Sequence, residues 1–181
     1  ASVIYCPVAP LVHDGEMLDA YLDLGAWDMP VMVMPMPVPG PTGPASLLGN
    51  IALANAEALS AFVIFQVAKP GRPMIYSSAV GSMDFRSGNF LAGTPEMGIQ
   101  SAALTTMGRF YGLPSSSWVS TESVFEDEQA ALETMFGLVT HVQEGVSLVW
   151  GLGQLESEMT LSLAQLVIDD EMVAYVRRHR R

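Results

Sequence analysis

The sequence predicts an α/β fold with a parallel sheet, made of five consecutive βα units. Three observations predict it. Short apolar runs recur at Ser2–Val8, Val31–Met36, Met74–Ser78, Ser116–Ser120 and Val146–Trp150, and each is followed by a longer helix-forming segment. The run VMVMPM at 31–36 is apolar on both faces, with Met32, Met34 and Met36 on one and Val31 and Val33 on the other, as a strand covered on both sides requires. Strict strand–helix alternation implies parallel strands joined by right-handed crossovers. Five such units suit either an open doubly wound sheet or part of an eight-fold barrel, and the pattern alone does not choose.

Ser2–Val8 is a short buried strand closed by Pro7 and Pro10. Asp14 is placed to cap a helix running through Ala26, with Met17, Leu18, Tyr21, Leu22 and Leu24 as its apolar stripe. The second strand stops where Pro37, Pro39, Pro41 and Pro44 remove backbone donors, which makes a stiff loop suited to shaping a cavity. A helix follows from Ser46 to Lys69, ended by Lys69-Pro70-Gly71. It is long and apolar, but Asn50, Asn55, Glu57 and Gln66 interrupt it, so a helix packed on a sheet is expected rather than a membrane span.

After Met74–Ser78 the segment Ala79–Thr94 is long for a βα connection, and Met83, Phe85 and Phe90 argue that it is ordered. Thr94-Pro95-Glu96 opens the next helix with a cap, an N1 proline and a first-turn acid, and that helix runs to about Tyr111. Strand Ser116–Ser120 leads through Thr121–Phe125 to a helix whose first turn carries Glu126, Asp127 and Glu128 and which ends at Gly145. Val146–Trp150 is the last strand, Gly151–Ser157 a glycine-bearing loop, and Met159–Arg180 the last helix.

The chain has 181 residues, half of them hydrophobic, enough for one domain with a sizeable core. Nineteen acids face eight bases, and four of those bases are Arg177, Arg178, Arg180 and Arg181, where they complement a helix C-terminus. The body through Val176 is therefore strongly acidic, which repels phosphate backbones and excludes nucleic acid as the expected partner. Cys6 is the only cysteine, so no internal disulfide or CxxC pair exists, in keeping with a reducing cytoplasm. No secretory signal opens the chain, nor does a methionine; a start at Ala1 inside an apolar strand reads as a fragment or a processed product.

Familiar catalytic motifs are missing. Gly151-Leu-Gly-Gln-Leu-Glu156 touches the dinucleotide fingerprint, but Glu156 stands where the third glycine should and would repel a pyrophosphate. No GxSxG, P-loop or HExxH occurs, and His13, His141 and His179 share no ligand spacing, so no metal site is expected. What remains is a set of strand-end loops, Pro39–Thr42, Ser77–Arg86, Ser120–Ser123 and Trp150–Ser157, rich in small, amide and aromatic groups. Such a lining suits a large cofactor or a methylated cation better than hydrolysis, with Tyr76, Trp118 and Trp150 offering aromatic faces to a cation and Glu122 or Glu156 offsetting charge. All three aromatics fit a plain core role equally well.

In these loops the sequence resembles the trimethylamine–corrinoid methyltransferase family, including its glycine betaine methyltransferases. The matching segments are PMPVPGPTGPASLLGNIALANAEALSAFVIFQ at 35–66, KPGRPMIYSS at 69–78, SMDFRSG at 82–88, GTPEMGIQSAAL at 93–104, RFYGLPS at 109–115 and GLGQLESEMTLSLAQLVIDDEM at 151–172. The resemblance implies a (β/α)8 TIM barrel, of which this chain would be the C-terminal five-eighths. It implies methyl transfer from a methylated amine to the cobalt of a corrinoid (cobalamin) carried by a partner protein, with none bound tightly here. The family's pyrrolysine is absent, and the region 116–124, SSWVSTESV, holds only ordinary residues. The family's TDSK-like pattern reads Thr121-Glu122-Ser123-Val124, and Trp150 stands where non-pyrrolysine members often carry histidine. A quaternary amine such as a betaine is the substrate these departures favour.

The site residues expected are therefore Glu122 and Glu156 as catalytic carboxylates, with Thr42, Tyr76, Asp84, Arg86, Trp150 and Gln154 contacting substrate or corrinoid. Asp84 and Arg86 are expected to order the long loop by pairing. A second expectation is a non-catalytic half-barrel remnant that covers its open sheet edges by homo-oligomerising and binds a small ligand or none.

Overall fold

The computed structural model describes residues 1–179, so the expected last helical residue, Arg180, and Arg181 lie outside the described residues. The five expected strands are present as β1 (Val3–Tyr5), β2 (Val31–Val33), β3 (Met74–Ser77), β6 (Ser115–Trp118) and β7 (Leu148–Trp150), all parallel. Their spatial order, β1-β2-β3-β6-β7, is their order in the chain. No strand crosses back past an earlier one, so the sheet has no switch point and curls as a half-barrel. Successive right-handed crossovers then lay the helices as one outer layer. These helices are α1 (Gly15–Asp23), α2 (Leu47–Ala68), α3 (Pro95–Phe110), α4 (Glu128–Glu144) and α5 (Leu163–His179), and α2 through α5 pack on one another in sequence.

Several boundaries are set by capping. Asp14, Ser46, Thr94 and Asp127 each accept from the backbone N–H three residues on, starting α1 to α4 where a side-chain oxygen can replace a missing carbonyl. Gly145 ends α4 in the left-handed conformation at φ +75°, which glycine takes without strain. The helix expected through Ala26 ends as α-helix at Asp23 and closes in a 3-10 turn over Leu24–Ala26. The last helix starts at Leu163 rather than Met159, because Gln154–Leu155 (β8) pairs antiparallel with Thr160–Leu161 (β9). In the same way Ala79–Thr94 is an ordered excursion holding a second antiparallel ribbon, β4 (Ser82–Asp84) with β5 (Asn89–Leu91).

The register sorts the sheet into two faces. Tyr5, Val33, Tyr76 and Ser115 lie side by side across the sheet, and with Val31 and Met74 they face the helices. Ala54, Ala58, Ala61 and Phe65 of α2 close that core, the small residues allowing close approach of helix to sheet. The opposite, concave face carries Ile4, Met32, Ile75, Ser77, Ser116, Trp118, Leu148 and Trp150. The polar residues of α2 are used inside the domain: Asn50 donates to Pro37 O at 2.9 Å and to Gln100 Oε1 at 2.7 Å, and Asn55 bridges Tyr76 and Tyr111. Among the described residues one helix, α2, is long and apolar enough to cross a membrane; here it packs against β2, β3 and α3.

Candidate functional site

Because all five strands run parallel, the loops that leave their carboxyl ends gather at one end of the sheet. That end is where α/β folds place ligands. Its floor is aromatic. Phe90 of β5 stacks with Trp118 of β6 at 6.4 Å between centroids and 10° between planes, and Trp118 stacks with Trp150 of β7 at 5.7 Å and 18°. These separations are those of favourable offset stacking. Trp118 is fully buried, whereas Trp150 is only half-buried. Both indole N–H groups are buried without a hydrogen-bond partner, as are the Ser120 hydroxyl and Gln154 Oε1 on the loops that follow. Four unspent polar atoms on two neighbouring strand ends are unusual, since buried polar groups are normally paired.

Two carboxylates hold these loops together. Glu122 Oε1 accepts from the backbone N–H groups of Ala92 and of Gly93, the latter at 3.3 Å. Its Oε2 accepts from the Ser157 hydroxyl at 2.7 Å. Glu122, on the loop after β6, thus ties down the ribbon that carries Phe90 and the loop after β7. Glu133 of α4 supports it, accepting from Thr121 Oγ1 at 2.6 Å and from the Glu122 N–H at 2.8 Å. A Cβ at Gly93 would stand 2.5 Å from Glu133 Oε2 and 3.2 Å from the Thr121 Cα, so Glu133 would have to give way at this junction.

The other expected residues are distributed unevenly. Gln154 reaches the mouth beside Gly151, where a Cβ would come within 2.2 Å of Val119 O, so loop and strand meet backbone to backbone. Asp84 and Arg86 sit at the tip of the β4–β5 ribbon, but their pairing is not an ion pair. Asp84 accepts from the Arg86 backbone N–H at 2.9 Å and from the Ser87 hydroxyl at 2.8 Å, and these bonds hold its carboxyl below the usual range. The Arg86 side chain instead lines a cavity of about 580 Å³ with Pro39, Leu47, Met83, Phe85 and Glu96. Thr42 is spent on its own turn, its hydroxyl accepting from the Val38 N–H at 2.9 Å.

Tyr76 is not at the mouth. The register turns its ring toward the helices, where its hydroxyl donates to Asn55 Oδ1 at 2.8 Å and burial beside Tyr111 pushes its pKa up. Glu156 is exposed on the β8–β9 turn, accepts from Thr160 Oγ1 at 3.0 Å, and has a positive φ of 53°. The neighbouring Glu158 is exposed as well, on the same turn, and its charge adds to the burial that raises the pKa of the Cys6 thiol just after β1. The loop after the last strand thereby approaches the tip of the first, as a curled sheet allows.

Phe90, Glu133, Ser157 and Glu158 are the residues that sequence reasoning left out. Phe90 carried a signal as an apolar residue in an over-long loop, and Glu158 as a carboxylate two residues from Glu156; the roles of Glu133 and Ser157 depend on loop geometry. Among the described residues, no cluster of histidine, cysteine and carboxylate side chains is placed to hold a metal ion.

The comparisons with known proteins agree in direction. The family model for trimethylamine methyltransferase (MTTB) matches residues 2–180. Trimethylamine methyltransferase MttB2 of Methanosarcina mazei is 33% identical over 178 residues, covering 98% of this chain and 36% of that protein. Glycine betaine methyltransferase of Desulfitobacterium hafniense is 34% identical over 176 residues, covering 96% of this chain and 37% of the relative. The chain thus spans little more than a third of the length of these relatives. With the family model matching almost every residue, the chain belongs to the trimethylamine methyltransferase (MTTB) family.

Proposed function

We propose that this chain takes part in moving a methyl group from a quaternary or tertiary methylamine, betaine-like, to the cobalt of a corrinoid on a partner protein. The observation that carries the proposal is the Phe90–Trp118–Trp150 stack at the strand tips, ending in the half-buried Trp150, in a chain of this family. An aromatic face attracts a methylated ammonium through its quadrupole, and it does so more strongly where water is excluded. Trp150 binds and orients the cation, while Trp118 and Phe90 fix the plane of Trp150. Glu122 contributes negative charge at the rim and keeps the loops closed around the stack. These residues desolvate and align the ammonium, and no side-chain nucleophile is required of them.

The unpartnered Gln154 Oε1 and Trp150 N–H fit a site that is completed by a bound group. Gln154 is the residue expected to contact the corrinoid. The corrinoid supplies the cobalt that accepts the methyl group. In this reading the five βα units are successive units of an eight-fold barrel, in a cytoplasmic enzyme.

The test is direct. The purified chain is mixed with glycine betaine and free cob(I)alamin under reducing, anaerobic conditions, and the spectrum is followed for methylcobalamin. Methylation that Trp150→Ala abolishes supports the proposal; no methylation with glycine betaine, trimethylamine or choline rejects it. One observation favours a second reading, the non-catalytic remnant: β1 and β7 are open edges whose concave-face residues Ile4 and Leu148 are 38% and 44% exposed. A self-associating chain without methylation would support that reading.

A further inference from the structure

The tight turn between β8 and β9 is held in a conformation that its residues resist. Glu156, Ser157 and Glu158 have φ of 53°, 49° and 76°, and among the described residues Leu11 is the one other non-glycine residue at positive φ. In the left-handed region the Cβ of an L-residue crowds the following carbonyl oxygen, so single residues visit it and runs of them do not. A backbone kept there relaxes when its restraints are released, and such outliers gather at clamps and switch segments.

The restraints come from one neighbour, the loop after β6. The Glu156 N–H donates to Ser123 O at 2.8 Å, the Ser157 N–H donates to Thr121 O at 2.9 Å, and the Ser157 hydroxyl donates to Glu122 Oε2 at 2.7 Å. The two loops stapled in this way carry Ser120 and Gln154, with Trp118 and Trp150 at their roots. The unpartnered atoms of those four residues are sealed from solvent, so no ligand reaches them until the loops part. The mouth is therefore shut in this form, and the strained turn is the piece of it with a reason to move.

We infer that residues 156–158 form a strained strap: closed, it fastens the loop after β7 to the loop after β6 and seals the polar atoms around the tryptophan stack; released, its backbone leaves the left-handed region and the mouth opens to a ligand. The inference rests on the proposed methyl-transfer mouth only for what enters; the opening itself is measured without substrate.

The experiment is amide hydrogen exchange on the full chain across low urea concentrations. The Glu156 and Ser157 amides are expected to exchange faster than the Ala58 amide inside α2, at a rate that urea hardly changes, because a local opening exposes little surface. Ser157→Ala removes the side-chain staple and should speed exchange at Glu156 about tenfold. Glu158→Gly removes the left-handed penalty at an exposed position, favours the closed form and should slow that exchange about fivefold. Glu158→Ala drops the carboxylate but keeps a Cβ, and should not slow it. Acrylamide quenching in a Trp27→Phe background, where Trp118 and Trp150 are the tryptophans left, should rise with Ser157→Ala and fall with Glu158→Gly. The inference is overturned if the Glu156 and Ser157 amides exchange only through global unfolding, if Glu158→Ala slows exchange as much as Glu158→Gly, or if quenching does not follow exchange across the variants. None of these outcomes involves methyl transfer, which stands or falls on cobalamin methylation.

Discussion

Replacing Glu122 with alanine should loosen three loops at once. The substitution removes the acceptor for the Ala92 and Gly93 N–H groups and for the Ser157 hydroxyl. Hydrogen bonds to a charged group contribute about 1.5–3 kcal/mol each, and a donor left without a partner costs about 1–3 kcal/mol. Glu122 is half-buried, so water recovers part of this loss, and the expected net destabilisation is about 2–4 kcal/mol. Glu122→Gln is a different perturbation. Its carbonyl oxygen still accepts from the two N–H groups, and its amide can donate to a rotated Ser157 hydroxyl, so the cost should be about 1 kcal/mol. Urea unfolding followed by tryptophan fluorescence measures both variants, since Trp118 and Trp150 report on the stack. If the alanine variant unfolds within about 0.5 kcal/mol of wild type, the clasp is not a stabilising element. If the glutamine variant is as damaged as the alanine one, the carboxylate charge and not the hydrogen bonding is what the loops need.

Other expectations follow from neighbouring geometry. Gly151→Ala places a Cβ about 2.2 Å from Val119 O at a φ of +98° and should prevent the loop after β7 from closing, seen as loss of cooperative unfolding. Glu156→Gln, at an exposed carboxylate, should leave stability and any cobalamin methylation unchanged; a selective loss of methylation would return Glu156 to the site. Burial depresses the pKa of His141, which bonds Ser117 Oγ at 2.6 Å, so the unfolded chain binds its proton more readily than the folded one. Its contribution is therefore full above the ordinary histidine pKa and falls as pH drops through the depressed folded value. The stability difference between wild type and His141→Gln, measured by urea unfolding from pH 8 to 5, should shrink toward acid pH, and a constant difference would refute the assignment.

Much of the fold was legible because its signals are local. Caps at Asp14, Ser46, Thr94 and Asp127 announce helices three residues ahead, and β2 shows its two covered faces in the alternation of valine and methionine. The ribbons β4–β5 and β8–β9 were hidden, because two or three residues per strand carry no readable period. The site was legible to the level of loops and no further. Tyr76 and Trp118 lie on neighbouring strands, yet one faces the helices and the other the concave side, and the difference rests on pairing register. Glu122 and Glu156 look alike in sequence, both acids on strand-end loops. One gathers backbone N–H groups from a distant ribbon, while the other stands in solvent, and such separations of 29 residues or more leave no local trace.

Each strand of the main sheet bonds only to the main-sheet strands that precede and follow it in the chain. Assembly can therefore proceed in the direction of synthesis, each new unit docking on the one already made, without waiting for a distant segment to return. Contacts of short sequence span lower the entropic barrier to folding.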